Sequence, residues 1–178
     1  MTRAAFLGST LILRGRFALP DLLAMIESGT ITHASLVPTM LHDLLEAWED
    51  RRVPASLRCL LIGGAPARGE LVSRSLERGF PIALTYGLTE AASQVATAPP
   101  DLVRLKPGSV GAPLPGVSVR VEDGGEVLVR GPIVAPGEHG EDGWLHTGDL
   151  GRQDPEGHLW ITGRVSDRII SGGVNVDP

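Results

Sequence analysis

The chain has 178 residues and a formal net charge of −5, and 42% of its residues are hydrophobic and 21% charged. This composition is typical of a globular protein, and the length suits one ordinary domain or two small ones. The negative charge and the scattered arginines argue against a basic nucleic-acid-binding surface. Lys106 is the only lysine among 16 basic residues. A mechanism that needs an essential lysine therefore has one candidate.

The cysteine content and the first residues indicate a cellular compartment. Cys59 is the only cysteine, so the chain cannot form an internal disulfide. The apolar run Ala4–Leu13 is too short to span a bilayer. Arg14 and Arg16 follow this run, with no small-residue cleavage site, which argues against a secretory signal. We therefore expect a cytoplasmic protein.

Short apolar runs alternate with amphipathic segments in the first half of the chain. Four runs predict buried strands: Thr10–Leu13, Ala34–Val37, Leu60–Ile62 and Ile82–Thr85. Three helices are predicted between them: one with Leu22 and Ile26 on its apolar face, one from Pro38 to Trp48, and one around Leu71–Leu76 with Glu70 and Arg74 as an i,i+4 pair. This alternation predicts an α/β fold, a parallel sheet with flanking helices.

The second half has a different character, because from Ala98 onward it is rich in Gly and Pro and has no helical period. Alternating residues predict four strands, the first two joined as a hairpin: Val117–Val121, Glu126–Arg130, Trp144–His146 and His158–Thr162. We therefore predict a small antiparallel β subdomain after the α/β part. The predicted units are residues 1–97 (α/β portion), 98–164 (a small β-barrel-like subdomain) and 165–178 (a hinge and the start of a further domain).

The segment Thr85-Tyr86-Gly87-Leu88-Thr89-Glu90 follows the fourth predicted strand, at the sheet edge where α/β folds bind ligands. The ring of Tyr86 could stack on a flat heterocycle, and Gly87 would let a ligand approach the backbone. Thr89 offers a hydroxyl to an anion, and Glu90 offers a hard oxygen ligand to Mg²⁺. The alternative is a tight turn with a capping Thr/Glu pair.

Three further motifs carry polar or glycine residues next to predicted strands. Gly63-Gly64-Ala65-Pro66 follows the third strand, and its alternative is a strand-to-helix turn. In Thr147-Gly148-Asp149, the carboxylate could accept hydrogen bonds from ribose hydroxyls; the alternative is an Asx turn. Arg164 in Gly163–Asp167 could hold a sugar or phosphate, or be a surface arginine. Gly172-Gly173 follows after a short strand.

In this order, the four motifs resemble those of the adenylate-forming family of acyl-CoA synthetases, luciferases and peptide-synthetase adenylation domains. The resemblance covers essentially the whole chain. It implies that a carboxylic acid is activated with ATP and Mg²⁺ to an acyl-adenylate, and that CoA-ligase members then transfer the acyl group to CoA, releasing AMP. It also implies that the first unit is part of the family's large AMP-binding domain.

The resemblance assigns nucleotide contacts to the first two motifs. Gly63, Gly64 and Ala65 would line the region of the adenine and the acyl carboxylate. Tyr86 would stack on the adenine, and Gly87 would lie against the nucleotide. These roles are implied by the family and do not come from the spacing of the residues.

The same resemblance assigns residues to the phosphate, metal and ribose contacts of the nucleotide. Thr89 would contact the phosphate and Glu90 would help to position Mg²⁺, so both are the expected catalytic residues. Asp149 would bind the ribose hydroxyls with the support of Arg164. The pair Gly172-Gly173 would belong to a loop that lines the CoA tunnel.

Within the family, several short segments look most like those of o-succinylbenzoate–CoA ligases of menaquinone synthesis. These are Leu88, Ser166, the run Ser35–Leu41 and the pair Ser93-Gln94. A fatty or aryl acid–CoA ligase of the same family is the alternative. The helix Pro38–Trp48 would wall the acyl pocket in relatives, although its apolar stripe is explained more simply as core.

Two parts of the family pattern have no match in the chain. The family has a phosphate loop ending in Pro-Lys and a lysine on a small C-terminal domain, and Lys106 matches neither role. We therefore expect a fragment of a longer enzyme that releases no pyrophosphate alone and that tends to self-associate through uncovered sheet edges. A non-catalytic adenine-nucleotide-binding remnant, serving as an interaction module, is the alternative.

Overall fold

A four-stranded sheet forms the first half of the protein. The computed structural model describes residues 8–167, 169–171 and 174–176. The strands, which lie in sequence order across the sheet, are β1 (His33–Leu36), β2 (Cys59–Ile62), β3 (Ile82–Tyr86) and β4 (Ala96–Ala98). The first three are parallel, and β4 returns antiparallel to β3. The predicted α/β architecture with a mainly parallel sheet is therefore confirmed.

Helices connect and cover these strands. They are α1 (Leu19–Glu27), α2 (Pro38–Trp48), α3 (Gly69–Glu77) and α4 (Pro100–Leu105). Proline lies in the first turn of α1, α2 and α4, where its missing N–H costs no helical hydrogen bond. The predicted apolar stripe of α2 is buried, and the ring of Trp48 meets that of Phe80 edge to face at 5.4 Å between centroids. No helix in the described ranges is long and apolar enough to cross a membrane.

Three local predictions, two in the first half and one in the second, are wrong. Thr10–Leu13 is not a strand: none of the described strands pairs with it, and Leu11 and Leu13 are 48% and 65% exposed. An apolar run forms a strand only when it pairs with a neighbouring strand and its side chains are packed against other residues. Within the described residues, this segment has neither a paired strand nor such packing. The second half does contain a helix, α4, whose six residues are too few to display a period. Arg74 pairs with Glu46 of α2 rather than with Glu70.

A second sheet follows, and its four strands are all antiparallel. They are β5 (Ser118–Val121), β6 (Glu126–Arg130), β7 (Leu145–Gln153) and β8 (Leu159–Arg164), again in sequence order. The hairpin between β5 and β6 turns at Gly125, whose φ is +85°. The predicted antiparallel β part is confirmed. Beyond it, β9 (Ile169–Ser171) and β10 (Val174–Val176) form a two-stranded antiparallel pair.

The two sheets meet beside β3 and β4. Gly111 has a φ of +84°, and a side-chain carbon on it would lie 2.6 Å from the carbonyl oxygen of Thr97 on β4. Only glycine allows this approach. The same glycine accepts a hydrogen bond from the amide of Leu159 on β8, so the backbone of the connecting segment lies between the two sheets. The core is continuous across this junction.

Candidate nucleotide site at the junction of the two sheets

A cavity of about 300 Å³ lies at the carboxyl edge of the parallel strands, where the second sheet closes over the first. Parallel strands end at the same edge, so β2 and β3 bring their following loops together there. The wall contains most of the predicted site residues: Gly64, Ala65, Tyr86, Gly87, Asp149 and Arg164. The cavity therefore joins motifs that are far apart in the chain.

Asp149 forms the polar centre of this cavity. Its Oδ2 accepts a hydrogen bond from the Tyr86 hydroxyl at 2.7 Å, and its Oδ1 accepts one from Nε of Arg164 at 2.7 Å. The Asp149 side chain is 11% exposed, while that of Arg164 is 56% exposed. The carboxylate is thus held in one orientation from two sides, by one residue of each sheet.

The burial of Tyr86 reinforces the neutral form of its phenol. Burial raises the pKa of the phenol well above its usual value, and the nearby carboxylate of Asp149 raises it further. The phenol is therefore a neutral hydrogen-bond donor at physiological pH. Its hydroxyl donates to the carboxylate, and the residue both lines the cavity and belongs to the core.

An irregularity in β7 aims the Asp149 side chain at the cavity. The register of β7 against β8 shifts between Leu150 and Gly151, so Asp149 and Leu150 are both buried although they are adjacent. The hydroxyl of Thr147 supports this geometry, because it accepts a hydrogen bond from the Asp149 amide at 3.0 Å and donates one to the Val127 carbonyl at 2.6 Å. Bulges of this kind often re-aim side chains next to functional sites.

An open groove of about 1320 Å³ adjoins the cavity. It contains the remaining predicted residues Gly63, Thr89 and Glu90 in its wall, and Gly87 and Arg164 line both hollows. Thr89 and Glu90 lie in a 3₁₀ turn, Thr89–Ala91, that follows β3. Both are exposed. No ion pair joins the Glu90 carboxylate to any other residue that the structure describes.

The glycines of these motifs serve close packing within the loops. A side-chain carbon on Gly87 would fall 1.4 Å from the carbonyl oxygen of Ser93, because the loop turns back on itself through Ala92 (φ 46°) and Ser93 (φ 93°). A side-chain carbon on Gly63 would lie 2.6 Å from Cγ2 of Thr85. The Ser93 carbonyl thus occupies the space where a side chain on Gly87 would lie. Gly87 nevertheless lines both hollows, and the approach of a ligand to its backbone stays a prediction.

All the predicted site residues within the described ranges thus line one of the two adjoining hollows. Gly172 and Gly173 lie outside the described residues. Gly108, Val110 and Ile161 also line the cavity, and the sequence does not predict them as site residues. A Pro-Gly turn or an apolar strand carries no local signal of the distant residues that it will contact. Gln94 lines the groove and donates hydrogen bonds to the hydroxyls of Thr85 and Thr97.

A second cluster of polar residues lies away from both hollows. The turn between β7 and β8 brings Asp154, Glu156 and His158 together, with ligand atoms within 4.8 Å of one another. Nζ of Lys106 fills the position that a metal would take, at 2.6 Å, 2.7 Å and 2.9 Å from these three residues. The cluster is an ion-pair network in this structure. Lys106 therefore has structural partners that the sequence did not indicate.

Residues 1–139 match the family described as AMP-binding enzyme. The chain belongs to this family. Among the relatives of this chain, the 2-succinylbenzoate–CoA ligase of Bacillus subtilis is 40% identical over 194 aligned residues, covering 99% of this chain and 40% of that protein. The ligase of Bacillus cytotoxicus is 43% identical over 171 residues, covering 86% and 36%.

Solved structures of AMP-binding enzymes agree with the fold. The o-succinylbenzoate–CoA synthetase of B. subtilis in complex with ATP and magnesium ion superposes with a TM-score of 0.85 at 40% identity, covering 99% of this chain and 41% of that one. The same enzyme in complex with its acyl-adenylate intermediate gives a TM-score of 0.86, covering 99% and 40%. The chain spans about 40% of the length of these relatives.

Proposed function

We propose that the chain forms the adenosine-binding part of an acid–CoA ligase. In the complete reaction, a carboxylate attacks the α-phosphate of ATP and pyrophosphate leaves; CoA thiol then displaces AMP from the acyl-adenylate. The observation that carries the proposal is the Asp149 carboxylate, which is fixed between Tyr86 and Arg164 at the wall of the 300 Å³ cavity. Relatives of this fold bind ATP with magnesium, AMP and the acyl-adenylate.

The geometry of the cavity suits a nucleoside. Each carboxylate oxygen of Asp149 has one protein partner, and each can accept a second hydrogen bond, so vicinal ribose hydroxyls could donate to it. The ring of Tyr86 offers an apolar wall for the adenine, and Gly64 and Ala65 also line the cavity, without bulky side chains. Arg164 balances the charge of the carboxylate and leaves its orientation unchanged when a ligand enters.

Thr89 and Glu90 fit the reacting end of the nucleotide. Magnesium in nucleotide sites takes one or two carboxylates together with phosphate oxygens and water, and Glu90 offers such a carboxylate on the open groove. When bound, the ion would supply charge neutralisation at the phosphates. The Thr89 hydroxyl can donate a hydrogen bond to a phosphate oxygen, and Arg164 brings a positive charge to the wall shared by both hollows.

We propose o-succinylbenzoate as the acid. The relatives at 40% and 43% identity carry the name of this ligase, and the groove next to the nucleotide cavity is large enough for an aromatic dicarboxylic acid. Its wall mixes apolar side chains such as Met40 with polar ones such as Ser35 and Gln94, which suits a ring that carries a second carboxylate. Activity of the enzyme that contains this chain with o-succinylbenzoate, but not with benzoate or fatty acids, is the expected result.

The direct test is calorimetric titration of the chain with AMP. We expect saturable binding, and we expect Tyr86→Ala and Asp149→Ala each to weaken it at least about tenfold, since each removes a wall or a charged acceptor. Asp123→Ala is the matched control, because Asp123 is exposed in the β5–β6 turn outside both hollows. If the parent binds AMP and both site variants bind it equally well, the assignment is wrong.

We also propose that the isolated chain associates with itself. Leu11, Ile12, Leu13 and Phe17 are 40–65% exposed, and β1 is the outer strand of the first sheet as described. Exposed apolar side chains beside an open strand edge favour association. Light scattering should give a mass that rises with concentration in the micromolar range, and a constant monomer mass would contradict the proposal.

A further inference from the structure

Residues 106–111, here called the strap, connect the two sheets. The strap follows α4, which packs against β3 and β4 of the first sheet, and then lies along the start of β8 in the second. The amide of Val110 donates to the carbonyl of Leu159 at 2.8 Å, and the amide of Leu159 donates to the carbonyl of Gly111 at 2.9 Å. The Ser109 hydroxyl also donates to the Leu159 carbonyl, at 3.1 Å.

Lys106 is the first residue of the strap and anchors it to the second sheet. Its ammonium group donates to Asp154, Glu156 and His158, which all belong to the turn that joins β7 to β8. The Lys106 side chain is 24% exposed and those of Asp154 and His158 are 17% exposed, so water screens these two contacts only in part; Glu156, at 70%, is largely exposed. The hydrogen bond from Lys106 is the main reason that the pKa of Asp154 falls to about 2.

The other end of the same strap reaches the nucleotide cavity. Gly108 and Val110 line it, whereas Lys106 lines neither hollow. The indole N–H of Trp160 on β8 donates to the carbonyl of Pro107 at 3.1 Å, which holds the middle of the strap to the strand. That strand ends at Arg164, the residue that fixes Asp149.

We propose that Lys106 is a positioning residue for the nucleotide site. By holding the strap on the β7–β8 turn, it keeps the second sheet, with Asp149 and Arg164, at a fixed distance from Tyr86 of the first sheet. This inference rests on the proposed function and extends it to a residue outside the cavity. Without the ammonium group, two carboxylates remain close together in the turn and repel each other. The turn and the strap then separate, and the arrangement that binds AMP becomes a smaller fraction of the population.

The test compares three variants of the whole chain. Lys106→Met removes the charge and keeps the length of the side chain, and Lys106→Arg keeps the charge. Arg104→Met is the matched control, since it removes one positive charge two residues away, where Arg104 forms an ion pair with the exposed Asp101. AMP affinity is measured by calorimetry, and amide hydrogen exchange is followed at Val110 and Leu159.

We expect Lys106→Met to weaken AMP binding at least about fivefold, the usual scale of coupling between a site and a distant group. The amides of Val110 and Leu159 should exchange faster, while that of Leu60 in the first sheet keeps its rate. Lys106→Arg should restore most of the affinity, and Arg104→Met should resemble the parent. If Lys106→Met fails to fold, Asp154→Asn is measured instead. It removes one of the two charged partners of Lys106, so changes in the same direction but of smaller size are expected.

Other outcomes overturn the inference. One is that the amides of Val110 and Leu159 exchange at the parent's rate in Lys106→Met. Another is that the exchange of the Leu60 amide accelerates as much as theirs. A third is that Lys106→Met binds AMP as tightly as the Arg104→Met control does. A parent chain that does not bind AMP contradicts the proposed function instead. In that case the exchange rates alone decide whether Lys106 holds the two sheets together.

Discussion

Removal of the Tyr86 hydroxyl isolates the hydrogen bond that joins the two sheets at the cavity. The hydroxyl donates to Oδ2 of Asp149 at 2.7 Å, and the two residues are only 8% and 7% exposed. Tyr86→Phe keeps the ring and its packing. Its effect on stability therefore measures the bond itself, with little contribution from a new cavity.

The size of the effect follows from the surroundings of Asp149. Hydrogen bonds to charged groups contribute about 1.5–3 kcal/mol, and more when the charge is left buried and unsatisfied. Here Arg164 still pairs with the carboxylate, and the 300 Å³ cavity can admit water to the vacated oxygen. We therefore expect a loss at the lower end, about 1.5–2 kcal/mol. For a chain of this length the melting temperature should fall by about 3–8 °C.

Thermal and urea unfolding measure this loss, and Ser75→Ala is the matched control. Ser75 is also fully buried, but its hydroxyl donates to the uncharged carbonyl of Leu71 within its own helix. Its loss should change the melting temperature much less, because alanine also favours the helix. AMP should bind to Tyr86→Phe more weakly than to the parent but more tightly than to Tyr86→Ala. Equal melting temperatures for Tyr86→Phe and the parent would refute the assignment of this bond.

Two other predictions concern the strap network and the loop after β3. Lys106 lowers the pKa of Asp154 to about 2, below its unfolded value, so the pair stabilises the fold above about pH 4 and this contribution is lost as the pH falls towards 2. Asp154→Asn should therefore be less stable than the parent at pH 7, and the difference in melting temperature should shrink between pH 4 and pH 2; a constant difference would contradict this. Gly87→Ala should cost about 2–4 kcal/mol and abolish AMP binding, because the added carbon meets the Ser93 carbonyl. Gly69→Ala, whose added carbon meets no atom within 4 Å, should change stability by about 0.5 kcal/mol or less, and equal losses in the two variants would show that the loop is not so constrained.

The regular elements of the first half could be predicted well where periodicity and end signals agree. The helix Pro38–Trp48 has both a clean apolar stripe and a proline in its first turn, and it occupies the predicted residues. By contrast, Thr10–Leu13 is apolar but has no partner strand in the described part of the chain, and α4 is too short for a period. Strand pairing is a property of two segments, so one segment alone cannot reveal it.

The site could be predicted only in part from its residues. Gly63 follows β2 and Tyr86 is the last residue of β3, so their meeting at one edge of the parallel strands follows from elementary topology. The meeting of Tyr86 with Asp149 does not, because Asp149 belongs to another sheet, and family resemblance alone suggested a shared ligand. The partners of Lys106 lie about fifty residues away in the chain, and no local pattern marks such a contact.

The hydrogen bond across the cavity also has a consequence for synthesis on the ribosome. Tyr86 and Asp149 are 63 residues apart. At about 5–20 residues per second, Tyr86 is therefore synthesised about 3–13 s before Asp149. During that interval the helices and parallel strands can assemble, but the edge that later forms the cavity stays open to solvent. Slower translation between these two residues would lengthen the period in which this apolar edge is available to chaperones.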